Sequence, residues 1–362
     1  MMKQMKKAVM SCLLTGVMSL GLTFGVATTP KAEANILADV IGTAIGGTMV
    51  RDQIMGQYKK INNTEEGRQA WFKQMKEKEG VVDDWELNNR LDTIMGNVIA
   101  GIGAVDSTVY DKPYNYFISP HESKDINAYC TLGHNVNVYD SIMTFMPNDD
   151  ELAVVLGHEL GHGQKDHPLA GVKKSLNAAI VAGMASAATG GLADGAIEQL
   201  YTYTQNVHLS KPMEWEADNL SFEYITHTNY NPGATAAVWQ RFLDKYGDQN
   251  IHWSDHPTNT QRRENYVKKL NEWSGKHVTD KDGVVYVNGK EFVTPSATDS
   301  MSAKERSYFV LGNLASVYHN NKVAPEAYAS GDTLMMGEQP IMTSTGSDPD
   351  AAVLAEKLNK IK

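Results

Sequence analysis

Two histidines four residues apart, His158 and His162, enclose a glutamate in the stretch VVLGHELGHGQKDH, Val154 to His167. On a helix that spacing sets both imidazoles on one face, one turn apart. Two ring nitrogens can then reach a single zinc ion at about 2.0–2.1 Å. Glu159 stands roughly 100° round the helix from His158, given the 3.6-residue period. It can touch a water held at the ion without blocking the ion, the H-E-x-x-H arrangement in which glutamate is the general base. Three residues alone are suggestive only, and their surroundings add weight. Leu152, Ala153, Val154, Val155, Leu156 and Leu160 face nearly all directions around such a helix, which predicts burial. Burying two histidines and a glutamate without partners is costly, and a bound metal removes that objection.

A third ligand must come from elsewhere. A histidine six residues after the second is ruled out, because Pro168 stands there. His167 is one residue short and reads as a structural residue at the helix end. Downstream, KPMEWEADNLSFEY places Glu214 and Asp218 four apart, again on one helical face. Glu214 could bind the metal while Asp218 hydrogen-bonds a ligand histidine and fixes its tautomer. Glu216 is the rival ligand, without a carboxylate four residues on. His256, before Pro257 in SDHPTNTQRREN, and Arg262 read by themselves as surface groups of a polar loop.

Several elements must position these groups. Residues 35–60 read as a short amphipathic helix, and its polar face is not basic enough to favour a membrane surface. Residues 64–100 carry Trp71, Phe72, Met75, Leu87, Leu91, Ile94 and Met95 at helical steps. Tyr114, Tyr116 and Ile118 alternate, as do Val136 and Val138, which predicts strands. Asn148 with Glu151 resembles a capping box for the His158 helix, and Gly163 can end that helix. Residues 170–200 are rich in Ala, Gly and Ser and suggest a mobile helical segment or lid. Two helices follow over 212–245, turned at Asn231-Pro232-Gly233. VVYV-NG-KEFV predicts a hairpin, and Ser302 with Glu305 caps a later helix. From about Ser330 the chain reads as loose until a last short helix, and no internal repeat is evident.

The chain has 362 residues, 42% hydrophobic and 21% charged, with a formal net charge of −10. That balance argues against nucleic acid as a partner. Lys3, Lys6 and Lys7, an apolar run from Ala8 to Val26 and Ala32-Glu33-Ala34 follow the order of a secretory signal peptide, with cleavage expected after Ala34. The run is also long enough for an uncleaved anchor. Cleavage leaves one cysteine, Cys130, hence no intrachain disulfide and no integral membrane span. Such an exported chain relies on its core or on a metal.

HELGH, EWEAD and HPTNTQR in that order, preceded by INAYCTLGHNVNVYDSIM, resemble the HtpX and CAAX-prenyl-endopeptidase type of zinc metallopeptidase over roughly residues 65–270. Four separated motifs in order make the resemblance specific. It implies one zinc ion per chain on His158, His162 and Glu214, with Glu159 as base. Asp218 would orient a ligand histidine, His256 would stabilise the oxyanion and Arg262 would support the site. The strand around Val136 and Val138 would be a sheet edge to which substrate backbone adds. His134 stands where the family commonly has a second glycine, and could act as an extra, inhibitory ligand or as a rim histidine. The exported form most resembles periplasmic members acting on proteins of the cell envelope.

The fold expected is α+β and predominantly helical, with a small mixed sheet beside the zinc helix. The expected division is a signal peptide over 1–34, a helical segment over 35–63, a peptidase domain over 64–275, a hairpin-plus-helix module over 276–330 and a tail over 331–362. The expected function is zinc-dependent hydrolysis of peptide bonds in exported or envelope proteins, in the periplasm or at the cell surface. The alternatives are a zinc-stabilised, lid-covered chaperone with little proteolysis, or an envelope component whose C-terminal module binds a protein partner or the cell wall.

Overall fold

The computed structural model describes residues 46–181, 209–248 and 257–362. The expected leader, most of the expected lid and His256 lie outside them. The chain is α+β and predominantly helical, and it divides into two compact units, each assembled from separate stretches. Among the described residues no helix is long and apolar enough to cross a membrane.

The first unit takes the chain to Asp92, then Ser107–Phe145 and His158–Ala217. It opens with α1 (Gly46–Asn63) and α2 (Glu65–Glu79), separated by Thr64. Thr64 forces the break: its hydroxyl accepts from Gly67 N at 3.1 Å and so caps α2. The helical stretch expected over 64–100 holds two helices, α2 and α3 (Trp85–Val105), parted at Gly80 with φ 79°. Apolar faces of α1 and α2 bury Met55, Tyr58, Trp71 and Met75 with Phe117, Tyr129 and Leu132.

The sheet of this unit has the order β1 (Asn115–Ser119), β3 (Asn135–Tyr139), β2 (Ala128–Thr131). β3 pairs parallel with β1 and antiparallel with β2, and runs directly into α4 (Asp140–Phe145). Val136 and Val138 therefore sit in the central strand and are fully buried, which corrects their assignment to a substrate-binding edge. Every residue of β3 is buried, Asn135 and Asn137 included. Its alternation thus reflects a strand flanked on both sides, not an edge. Arg68 of α2, itself buried, locks the β2–β3 turn by donating to Gly133 O at 2.7 Å.

The second unit comprises Thr93–Asp106, Met146–Gly157 and Asp218–Lys362. Here α8 (Ala234–Tyr246) packs on α9 (Asn259–Trp273) and on α10 (Ala303–Asn320). Two three-stranded antiparallel sheets follow the same plan, each followed by a helix. β4 (Val278–Lys281), β5 (Val284–Val287) and β6 (Lys290–Val293) precede α10; β7 (Ala327–Ser330), β8 (Thr333–Met336) and β9 (Gln339–Thr343) precede α11 (Ala351–Ile361). The register pair Val278–Val287 recurs 49 residues later as Ala327–Met336, and the bulge at Val285/Tyr286 recurs at Leu334/Met335. Asn288 N donates to His277 O at 2.7 Å, and Gly337 N donates to Glu326 O at 3.0 Å, at the same offset. Left-handed turn residues correspond too: Asp282 with Gly331, Asn288 with Gly337.

This overturns two expectations. The chain does contain an internal repeat, and the stretch after Ser330 is not a loose tail but the second copy. The cause is side-chain turnover on a kept pattern. β5 and β8 share one alternation of burial, carried by Val285 and Val287 in the first and Leu334 and Met336 in the second. Helix α11 closes its copy by burying Ala351, Leu354, Ala355 and Leu358 on one face.

Candidate metal centre

The helix that bears the motif is α5 (Asp149–Gln164). Asn148 starts it, its side chain accepting from Asp150 N at 2.8 Å. The capping box is not completed. Glu151 instead turns inward to Arg241, whose Nε lies 3.0 and 3.2 Å from its two oxygens. Asp149, Asp150 and Glu151 put acidic groups at the helix N-terminus, where the backbone dipole favours them. Gly163 does not end the helix, which runs on to Gln164. Its lack of a side chain serves Tyr114: a Cβ there would stand 2.5 Å from the phenol oxygen. That phenol donates to Leu160 O at 2.6 Å and pins the last turn of α5.

His158 and His162 face one way, with their Nε2 atoms 3.0 Å apart. Glu214 enters from the first turn of α7 (Lys211–Ile225), which follows α6 (His167–Val181) in the described chain. Its oxygens lie 3.6 Å from His158 Nε2 and 3.5 Å from His162 Nε2. All three residues are at most 2% exposed, and together they are the metal-competent cluster found among the described residues. These separations, 3.0 Å between the two imidazole nitrogens and 3.5–3.6 Å from each to one or the other Glu214 oxygen, can be compared with a tetrahedral ion's ligands. Donors at about 2.0–2.1 Å from such an ion stand about 3.3–3.4 Å from one another. Two imidazoles and one carboxylate suit a transition-metal ion better than calcium or magnesium, which take oxygen ligands throughout. The residues present therefore fit a small divalent metal.

Glu159, next along α5 and 1% exposed, is held from the sheet: Cys130 N donates to its Oε2 at 3.1 Å. The Cys130 thiol is buried, and burial beside Glu159 pushes its pKa far up, so it is an inert packing residue. His134 lies elsewhere in this unit. Its ring stacks on Tyr114, and its nitrogens face Lys112 O at 2.8 Å and Gly163 O at 3.0 Å. Both nitrogens are thus directed at backbone carbonyls, which sets aside the extra-ligand alternative. Its φ of 56° explains why glycine suits the position. Burial, reinforced by Lys112, pulls its pKa down to about 4, against the two carbonyls, which favour the charged ring.

Glu216 and His167 are a pair that the sequence reading did not join. Glu216 stays half-exposed, its Oε2 3.2 Å from His167 Nε2, while His167 Nδ1 lies 2.8 Å from His162 Nδ1. The sequence signal was available: a histidine five residues after His162, and a carboxylate two residues after Glu214.

In the second unit Arg262 is not a surface charge. It is fully buried, its Nε 2.8 Å from Asp218 Oδ2, with a second, closer contact from its Nη2 to Asp218 Oδ1. Its guanidinium lies 3.6 Å over the Trp239 ring. Tyr266 donates to Asp218 O at 3.0 Å, and burial next to Asp218 raises its phenol pKa well above normal.

Residues 87–273 match the model of peptidase family M48. The chain is 27% identical over 171 residues to metalloprotease LoiP of Escherichia coli, covering 46% of this chain and 67% of that protein. It is 25% identical over 264 residues to the beta-barrel assembly-enhancing protease of Yersinia pestis, covering 68% and 48%. It is 28% identical over 151 residues to the mitochondrial metalloendopeptidase OMA1 of Saccharomyces cerevisiae, covering 40% and 43%. The chain thus spans about two thirds of the first of these relatives and under half of the other two. With the family match covering more than half of the sequence and the His-His-Glu cluster inside it, the chain belongs to peptidase family M48 and is by class a metalloendopeptidase.

Proposed function

We propose that the protein is a zinc-dependent endopeptidase of exported or cell-envelope proteins, with His158, His162 and Glu214 as the zinc ligands. The observation that carries the reading is the buried cluster of two imidazoles and one carboxylate with Glu159 one residue from His158. When bound, zinc supplies Lewis-acid polarisation of a carbonyl and brings the pKa of a water down to about 7.

The chain's own groups do the rest. Glu159 takes a proton from the attacking water and delivers it to the leaving amine. Its carboxylate is aimed for that task by the Cys130 N–H. His256, as the family resemblance implies, stabilises the developing oxyanion. Asp218, held by Arg262, is assigned the orienting of a ligand histidine. Substrate backbone adds to the outer edge of β2, which among the described strands pairs with β3 alone. The Cys130 N–H reaches out of the sheet to Glu159, so that edge runs past the base.

Export rests on the leader-like order of residues 1–34. An envelope substrate is supported by the name of the beta-barrel assembly-enhancing relative. The repeated module of β4–β9 with α10 and α11 is assigned to holding an envelope-protein partner.

The test is cleavage of casein by purified protein, beside metal analysis. One zinc per chain, chelator-sensitive cleavage and loss of both in His158→Ala are expected. Full cleavage by a metal-free preparation would refute the reading.

A further inference from the structure

The structure points to a role for two residues beside the ligand cluster: we propose that Glu216 and His167 form a relay that fixes the tautomer and aim of His162. This rests on the reading of His162 as a metal ligand. His167, 4% exposed, stands between the two others, with Nδ1 2.8 Å from His162 Nδ1 and Nε2 3.2 Å from Glu216 Oε2.

The hydrogens follow from what each group can do. An ionised carboxylate only accepts, so the hydrogen of neutral His167 sits on Nε2 and is given to Glu216. His167 Nδ1 then carries a lone pair and can only accept. The hydrogen on His162 must therefore sit on Nδ1, pointing at His167. That leaves His162 Nε2 bare, and this is the nitrogen 3.0 Å from His158 Nε2 and 3.5 Å from Glu214 Oε1. A metal needs that lone pair. The relay thus sets the ring in the only neutral tautomer that can bind, and holds its plane in advance. The ring planes of His162 and His167 meet at 64° with centroids 5.1 Å apart, an edge-on approach that suits a hydrogen bond and not a stack.

The relay also accounts for two features of the sequence. Pro168 follows His167 at the start of α6, where a missing backbone N–H costs nothing, so His167 is delivered on a stiff corner. Glu214 and Glu216 lie on one short segment of α7. Its two acids thereby serve different ends: Glu214 at the cluster, and Glu216 behind His162 through His167.

Two measurements test the proposal. Long-range proton–nitrogen spectra of imidazole-labelled, metal-free protein should show His162 with hydrogen on Nδ1. Hydrogen on Nε2 would overturn the relay whatever the fate of the metal reading. Zinc affinity is then read by competition with a chromophoric chelator. His167→Phe, which fills the space but cannot accept, should weaken zinc about 10–100-fold. His167→Gln, whose amide oxygen still accepts, should recover most of that loss, a rescue that mere packing would not produce. Equal affinity in wild type, His167→Phe and His167→Gln would overturn the relay. Absence of zinc from the wild type, or its retention in His158→Ala, would instead defeat the metal reading.

Discussion

The main-chain N–H of Cys130 in β2 donates to Oε2 of Glu159 in α5 across 3.1 Å. The strand and the Glu159 carboxylate are thereby locked together, so the base proposed for the reaction has its orientation set in advance. Preorganisation of this kind lowers the cost of reaching the reacting geometry, because neither group has to be ordered when substrate binds.

Replacing Glu159 by Gln removes the proposed proton acceptor and keeps the side chain's shape. Peptide cleavage should fall at least about 10²–10⁴-fold, the usual worth of a positioned acid–base group. Metal content and thermal midpoint should stay at wild-type values. A fluorogenic peptide assay with parallel metal analysis reads both, and a variant that cleaves at full rate removes Glu159 from the mechanism.

Gly163→Ala places a methyl group against the Tyr114 phenol, which grips Leu160 O at 2.6 Å. Overpacking there should cost about 1–3 kcal/mol. Because Leu160 lies between His158 and His162, the proposed ligands, zinc affinity should fall as well. Urea unfolding and chelator competition report the two effects, and Tyr114→Phe in the same background should relieve part of the first.

His134 supplies an acid-sensitive element. Burial and Lys112 hold its pKa down at about 4, below the ordinary 6.5. The unfolded chain therefore binds a proton there first as pH falls. The neutral ring's contribution is fully present above about 6.5 and is lost as pH drops toward 4. His134→Gly keeps the left-handed backbone and removes the titrating ring. The difference in thermal midpoint between variant and wild type should change across pH 6.5 to 4 and be flat above 7. A flat difference throughout would contradict a buried neutral ring.

Glu305 behaves in the opposite sense. Burial and the neighbouring Glu151 push its pKa up to about 8, against the pull of Arg241, which both carboxylates share. Its protonated form is the one the fold favours. That contribution is complete below the ordinary carboxylate pKa of 4.5 and fades as pH rises through about 8. Glu305→Gln mimics the protonated group at every pH. It should raise the thermal midpoint relative to wild type at pH 8 and make little difference at pH 4. A midpoint lower at pH 8 than at pH 4, relative to wild type, would show that the charged pair is the favoured state.

The helix of His158 and His162 was legible in the residues because its logic is local. Four-residue spacing sets His158 and His162 on one face, and an apolar surround declares the helix buried, with no need of the rest of the chain. Glu214 could be preferred over Glu216 on the same helical arithmetic, and the Asn288-Gly289 turn needed just its two left-handed residues. What depends on partners distant in the chain was decided by tertiary structure alone. Alternation in Asn135–Tyr139 announces a strand, but strands on both flanks make it central, and sequence does not record who pairs with whom. The second copy of the β-β-β-α unit kept its register and turns while exchanging Val285 and Val287 for Leu334 and Met336, since packing asks for apolar volume at a position and not for a particular side chain. His167 and Glu216, 49 residues apart, meet through the packing of their two helices. A hydrogen bond of that kind is a fact of three dimensions, and the bare nitrogen it leaves on His162 could be assigned only once the ring's neighbours were in view.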